Sequence, residues 1–166
     1  DNTNDDPALI EQIRTRVLAR RGVRATPDEI LVTVGAQHAL YLLAELLIKP
    51  DSRVGIEEPG YADARNIFSL KTPRLVPLAV DGEGLVDGGH LDSCDTVYLT
   101  PSHQYPTTAT LSLERREALL RRAADTDMVL IEDDYESEVS HVGETKPALK
   151  SLDDSGRVIF VASLSK

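Results

Sequence analysis

Apolar and polar positions along the chain alternate between two periods. Residues 8–21 place Leu9, Ile10, Ile13, Val17 and Leu18 on one helical stripe with arginines opposite, and Gly22 closes it. Ile30-Leu31-Val32-Thr33-Val34 is a short β-branched apolar run, which predicts a buried strand. Gly35 follows, and Ala36–Ile48 is apolar almost all round, the pattern of a fully buried helix ended by Pro50-Asp51. The alternation continues with a strand at 53–56, a helix near 61–70, a strand at 75–80 and a Gly-rich turn at 81–89. A strand at 96–99, a helix at 113–124 with Ser112 as N-cap, and a strand at 128–131 come next. Residues 136–156 read as loop, and 157–162 as a last strand. Strands alternating with helices predict an α/β fold with a mostly parallel sheet and flanking helices.

In such a sheet, ligands bind beyond the carboxyl ends of the strands. The residues at those ends are Gly35-Ala36-Gln37-His38, Glu57-Glu58-Pro59-Gly60-Tyr61, Pro101-Ser102-His103-Gln104-Tyr105, Glu132-Asp133-Asp134-Tyr135 and Ser163-Leu164-Ser165-Lys166. Gly35 before a helix offers free backbone N–H groups to an anion, unless it only makes a tight turn. Ser163 and Ser165 could add hydroxyl donors. Glu132-Asp133-Asp134 could be an ordinary acidic strand end, a Mg²⁺ site, or a partner for a cationic ring nitrogen. Lys166 at the same edge is either a solvated lysine or a nucleophile that forms a Schiff base. Tyr61 is either a rim aromatic or a platform for a planar ligand.

Composition narrows the classes. The 166 residues carry 18 Lys+Arg against 28 Asp+Glu, a net charge of −10, which argues against nucleic-acid binding by this segment. The two basic runs, Arg14/Arg16/Arg20/Arg21 and Arg115/Arg116/Arg121/Arg122, sit at helical spacing and read as solvated helix faces. A single cysteine, Cys94, excludes an internal disulfide framework and a multi-cysteine zinc site. Histidines 38, 90, 103 and 141 form no i,i+4 pair, so no helical metal site is suggested. No apolar run is long enough for a membrane helix, and a cytoplasmic location is expected. No Walker A and no G-x-S-x-G motif occurs, and Gly82-x-Gly84 opens no helix. An anion cradle, a planar-ring platform, a ring-nitrogen carboxylate and a Schiff-base lysine together describe pyridoxal 5′-phosphate (PLP) chemistry.

The strings Thr100-Pro-Ser-His-Gln-Tyr-Pro-Thr107 and Ile131-Glu-Asp-Asp-Tyr-Glu-Ser-Glu138 carry a resemblance, supported by Arg20-Arg-Gly-Val-Arg24, Val34-Gly-Ala-Gln37, Glu58-Pro-Gly-Tyr61 and Ser163-Leu-Ser-Lys166. From about residue 7 onward the chain resembles the large domain of fold-type-I PLP-dependent class I/II aminotransferases. Within them it is most similar to the aminotransferase-like domain of MocR-type regulators of the GntR family. The resemblance implies that Lys166 forms the Schiff base and Asp133 pairs with the ring nitrogen. It implies that Tyr135 meets the 3′ oxygen and Tyr61 stacks on the ring. Gly35, Ala36, Gln37 and Ser163 would hold the phosphate, with His103 and Tyr105 beside the ring.

Asp133-x-Tyr135 follows the regulators' D-x-Y spacing rather than the D-x-x-Y more frequent in ordinary aminotransferases. The aminotransferase N-P-T-G motif reads Tyr105-Pro-Thr-Thr108, which leaves the 3′-oxygen contact to Tyr135, with His103 or Gln104 as alternatives. Thr108 in place of Gly bears on the turn geometry there. Residues 1–166 are then expected to be an incomplete large domain, with a DNA-binding winged helix and a small C-terminal domain outside it. The implied function is an effector domain of a transcription regulator that takes an amine or amino acid and forms a homodimer. The alternative is a stand-alone aminotransferase, and a phosphoacceptor domain built on Asp133-Asp134 is the reading from another class.

Overall fold

The computed structural model describes residues 5–135 and 147–164. The helices are α1 (Pro7–Gln12), continued by a π-helical turn Ile13–Leu18, then α2 (Ala36–Leu47), α3 (Ala62–Ser69) and α4 (Leu113–Thr126). The strands are β1 (Val54–Glu58), β2 (Leu75–Asp81), β3 (Gly84–Leu85), β4 (Thr96–Leu99), β5 (Val129–Asp134) and β6 (Val158–Ala162). They form one sheet in the order β3-β2-β1-β4-β5-β6. All neighbours are parallel except the short β2–β3 pair.

The order places a switch point between β1 and β4. The chain winds outward from β1 to β2, then returns past β1 to start β4 and winds the other way. In an open parallel sheet the crevice at such a point receives ligands.

Strand alternation divides the core. Val97, Leu99 and Leu130 face one side, where Leu119, Leu120 and Ala123 of α4 cover them. Tyr98 and Ile131 face the other side, against Leu40 and Ala44 of α2 and Phe68 of α3. α4 starts as its sequence predicts, with the Ser112 side chain accepting from the Arg115 N–H.

Three expectations fail. Residues 30–34 do not form a strand: among the described residues no strand pairs with them, Leu31 and Val34 are exposed, and the Val32 N–H donates to Asp5 Oδ2 at 2.8 Å. β-branched apolar residues fit a strand only where a sheet edge receives them. α2 is buried on one side only, since Leu40 and Ala44 are covered while Tyr41 and Leu46 are exposed. The basic runs are not wholly solvated either, because Arg21 and Arg116 are buried. Among the described residues no helix is long and apolar enough to cross a membrane.

Candidate functional site

The carboxyl ends of β1, β4 and β5 converge. At β1, Glu57 is buried and accepts from the Thr100 N–H at 3.0 Å and the Thr100 hydroxyl at 2.8 Å. The Gln104 amide lies at 3.4 Å from the same oxygen. One carboxylate thus ties β1 to the turn after β4, across the switch point. Burial pushes the Glu57 carboxyl upward in pKa, against the pull of the Thr100 and Gln104 donors.

Gln104 organises the 104–109 turn. Its Nε2 donates to the Pro59 carbonyl at 2.9 Å, and its Oε1 accepts from the Thr107 hydroxyl at 2.6 Å. It is buried and aimed inward, so it is a frame for the turn rather than a contact for a ligand. Thr108 takes φ 64°, the region where the related motif carries glycine.

The acidic triplet at the end of β5 is split by the pleat. Glu132 and Asp134 point to the α4 side and Asp133 to the α2/α3 side, because successive side chains in a strand face opposite ways. Glu132 accepts from the N–H groups of Leu149 and Lys150, each at 2.8 Å. Asp134 Oδ2 pairs with Arg21 Nε at 2.6 Å, and Arg21 also donates to Ser102 Oγ at 2.5 Å. Arg116 is 1 % exposed and donates to the carbonyls of Leu111, Pro101 and Pro147. Neighbouring acidic residues on opposite faces do not form one carboxylate cluster, which removes the support for a Mg²⁺ site or an Asp133-Asp134 phosphoacceptor pair.

Asp133 is 4 % exposed, and its Oδ2 accepts from the Tyr98 hydroxyl at 2.7 Å. Its charge is felt by Tyr61, whose pKa is raised mainly by burial. The Tyr61 hydroxyl accepts from Gln37 Nε2 at 2.9 Å and donates to Asp63 at 3.0 Å, which fixes the ring beside the start of α2. Tyr61, Tyr105, Tyr135 and His103 follow one another in edge-on contacts 5.9–6.3 Å apart.

At the start of α2, Gly35 has φ 84° and nothing within 4 Å of where a Cβ would stand. The first N–H groups of a helix have no intrahelical acceptor, so Ala36 and Gln37 present donors beside this open position. Gly35 and Ser163 line the same groove of about 620 Å³, which runs along β6 and past Ile30 and Phe160. The structure therefore brings Gly35, Ala36, Gln37, Tyr61, His103, Tyr105, Asp133, Tyr135 and Ser163 to one edge of the sheet. Lys166 and Ser165 lie outside the described residues.

Sequence reasoning assigned no role to Tyr98, Glu57, Arg21 or Arg116. The signals were weak: a tyrosine inside an apolar strand, an acid at the end of one, and arginines spaced like any exposed helix face.

Burial pushes Glu132 up to about 7, against the backbone donors and the Arg116 charge that pull it down. The folded state thus keeps a proton that the unfolded chain releases above its ordinary value of 4.5. The contribution of Glu132 to stability is fully present below that value and is lost as pH rises through the window up to about 7, by about 3 kcal/mol in all. The melting temperature is expected to drop between about pH 5 and about pH 8, and Glu132→Gln to flatten that slope. Glu57, shifted the same way, leaves a remainder. A slope unchanged by the substitution would contradict the assignment.

A comparison with protein-family models finds no match. The chain is 44 % identical over 162 residues to the HTH-type transcriptional regulator TauR of Rhodobacter capsulatus, covering 98 % of this chain and 34 % of that protein. It is 35 % identical to the probable rhizopine catabolism regulatory protein MocR of Rhizobium meliloti, over 96 % of this chain and 33 % of that one. It is a relative of the MocR-type regulators, on the aminotransferase fold. An archaeal alanine:glyoxylate aminotransferase superposes on the whole chain with TM-score 0.90 and 30 % identity, over 44 % of its own length. The Pyrococcus horikoshii kynurenine aminotransferase, solved in complex with PMP, does so with TM-score 0.88 and 28 % identity, over 43 % of its length. The fold is thus the mostly parallel α/β fold of fold-type-I aminotransferases. The chain spans about a third of the curated regulators it matches.

Proposed function

We propose that this chain is part of the PLP-binding large domain of a GntR/MocR-type transcription regulator. The observation that carries the reading is the position of Asp133, a buried carboxylate at the end of β5 that accepts from the Tyr98 hydroxyl. It faces the α2 side of the sheet, where the Tyr61–Tyr105–Tyr135 ring series also lies, while Glu132 and Asp134 point to the α4 side.

The residues fit the group. A pyridinium nitrogen needs a buried anion, which Asp133 supplies. A planar ring needs an aromatic face, which Tyr61 supplies in an orientation fixed by Gln37 and Asp63. A phosphate needs backbone donors and room, which the start of α2 offers where Gly35 leaves space, with Ser163 along the same groove. Tyr135 would meet the ring's 3′ oxygen, with His103 and Tyr105 closing that side. Lys166 would hold the cofactor covalently through its amine. PLP, when bound, supplies an electron sink for the carbon next to an amine nitrogen.

In this reading the effector is an amine or amino acid and the protein is a cytoplasmic homodimer. DNA contact belongs to a winged helix outside this segment, in keeping with the −10 charge. A stand-alone aminotransferase is the second reading, favoured by similarities such as 32 % identity to aromatic-amino-acid aminotransferase 1 of Thermococcus litoralis. The D-x-Y spacing of Asp133 and Tyr135 supports the regulator.

The test is a titration of the full-length protein with PLP, followed by visible absorbance. The wild type is expected to develop the band of a lysine-bound cofactor and Lys166→Ala to lack it. No band in the wild type, or an unchanged band in the variant, would overturn the proposal.

A further inference from the structure

We propose that Tyr98 is a positioning residue for the cofactor: its hydroxyl, donating to Asp133 Oδ2, orients that carboxylate and keeps it anionic where a ring nitrogen is to be held. The inference rests on the PLP reading above and adds a residue to it.

Tyr98 lies in the middle of β4 and is 1 % exposed. Its ring is set by Phe68, with centroids 5.9 Å apart, and by the surrounding core of Leu40, Ala44, Ile56 and Ile131. β4 and β5 are adjacent parallel strands with Tyr98 paired to Ile131, so Asp133 stands two residues further along the same face. The phenol thus approaches the carboxylate from within the sheet, along a direction that neither side chain can change without disturbing the core.

A carboxylate taken out of water tends to hold its proton. A protonated Asp133 would not retain a cationic ring nitrogen, since the ion pair needs the anion. A hydrogen bond from a neutral donor stabilises the anion without neutralising it. Tyr98 is suited to that role because it remains a donor: burial, the Asp133 charge and the nearby Glu57 all oppose its ionisation. The titratable groups that face it are Asp133 from β5, Glu57 from β1 and Tyr61 from the loop before α3.

A purely structural tyrosine would change stability on truncation and leave the cofactor's properties alone. The experiment therefore follows the cofactor. Full-length wild type, Tyr98→Phe, Asp133→Asn and the double variant are titrated with PLP, and the visible band is then titrated with pH. Tyr98→Phe is expected to weaken PLP binding about tenfold, the order of one hydrogen bond to a charged acceptor. It should also move the pH midpoint of the band upward, because a less firmly protonated ring withdraws fewer electrons from the lysine nitrogen. In the Asp133→Asn background the same substitution should add nothing.

If Tyr98→Phe does not fold, 3-fluorotyrosine at position 98 makes the phenol a stronger donor at nearly the same size, and the midpoint should move downward. A wild type that binds PLP beside a Tyr98→Phe variant with unchanged affinity and midpoint would overturn the role of Tyr98 while the PLP reading stands. A midpoint unmoved by the fluorinated tyrosine would do the same. A wild type with no band would overturn both.

Discussion

Arg116→Ala is expected to destabilise the protein by about 4 kcal/mol, within the range for removing one partner from a buried charged network. The guanidinium is 1 % exposed and donates to three carbonyls, at 2.9 Å to Leu111 and 2.8 Å to both Pro101 and Pro147. The Leu111 and Pro147 carbonyls lose this donor, at about 1–3 kcal/mol each where water does not replace it, while Pro101 keeps the Leu111 N–H at 2.9 Å. The substitution also removes the positive charge that opposes the upward shift of Glu132. The three carbonyls belong to the turn after β4, the start of α4 and the segment after residue 146, so Arg116 joins pieces that share no strand pairing. Arg116→Lys keeps the charge but cannot reach three acceptors in a fixed fork, and should lose about half as much. Urea unfolding of the full-length protein measures both. A loss below about 1 kcal/mol for Arg116→Ala would show that the network is replaceable.

Asp133→Asn is expected to weaken PLP binding about a hundredfold, or about 3 kcal/mol. Asparagine keeps the shape and can still accept from Tyr98, but it brings no charge to a pyridinium. The carboxylate is 4 % exposed, so the charge it contributes is little screened by solvent. Fold stability should move far less than cofactor affinity, because the Tyr98 contact survives. Fluorescence or absorbance titration gives the affinity and a thermal melt gives the stability. A large loss of stability at unchanged affinity would make Asp133 a structural acid instead.

The sheet edge that gathers the candidate residues was legible because the alternation of strands and helices carries the rule that ligands bind at strand carboxyl ends. That rule selects Tyr61, Asp133 and Ser163 at the ends of β1, β5 and β6, whereas Gly35 follows a run that forms no strand and is placed by the start of α2 instead. Local signals with one physical meaning also served: the bounds 96–99 for β4 and the Ser112 cap agree with the structure.

Periodicity, however, reports that a face is apolar and not what covers it. The run 30–34 has strand composition but lies across a groove from β6 and pairs with no described strand, and α2 is apolar on a side that remains exposed at Leu46. Helical spacing likewise cannot separate Arg116, anchored on three carbonyls, from Arg121, whose side chain is exposed. The split of Glu132-Asp133-Asp134 follows from the pleat alone, but its consequence needs the positions of Arg21, Arg116 and Tyr98. Those partners come from sequence distances of 16 to 113 residues, which no local pattern encodes.

The proposed role of Lys166 is to hold PLP covalently. The most direct measurement is borohydride reduction of the full-length protein with PLP, followed by peptide mass mapping. A pyridoxyl adduct is expected at Lys166, on the peptide that contains Ser163-Leu164-Ser165-Lys166. An adduct confined to other lysines, or none at all, would contradict it.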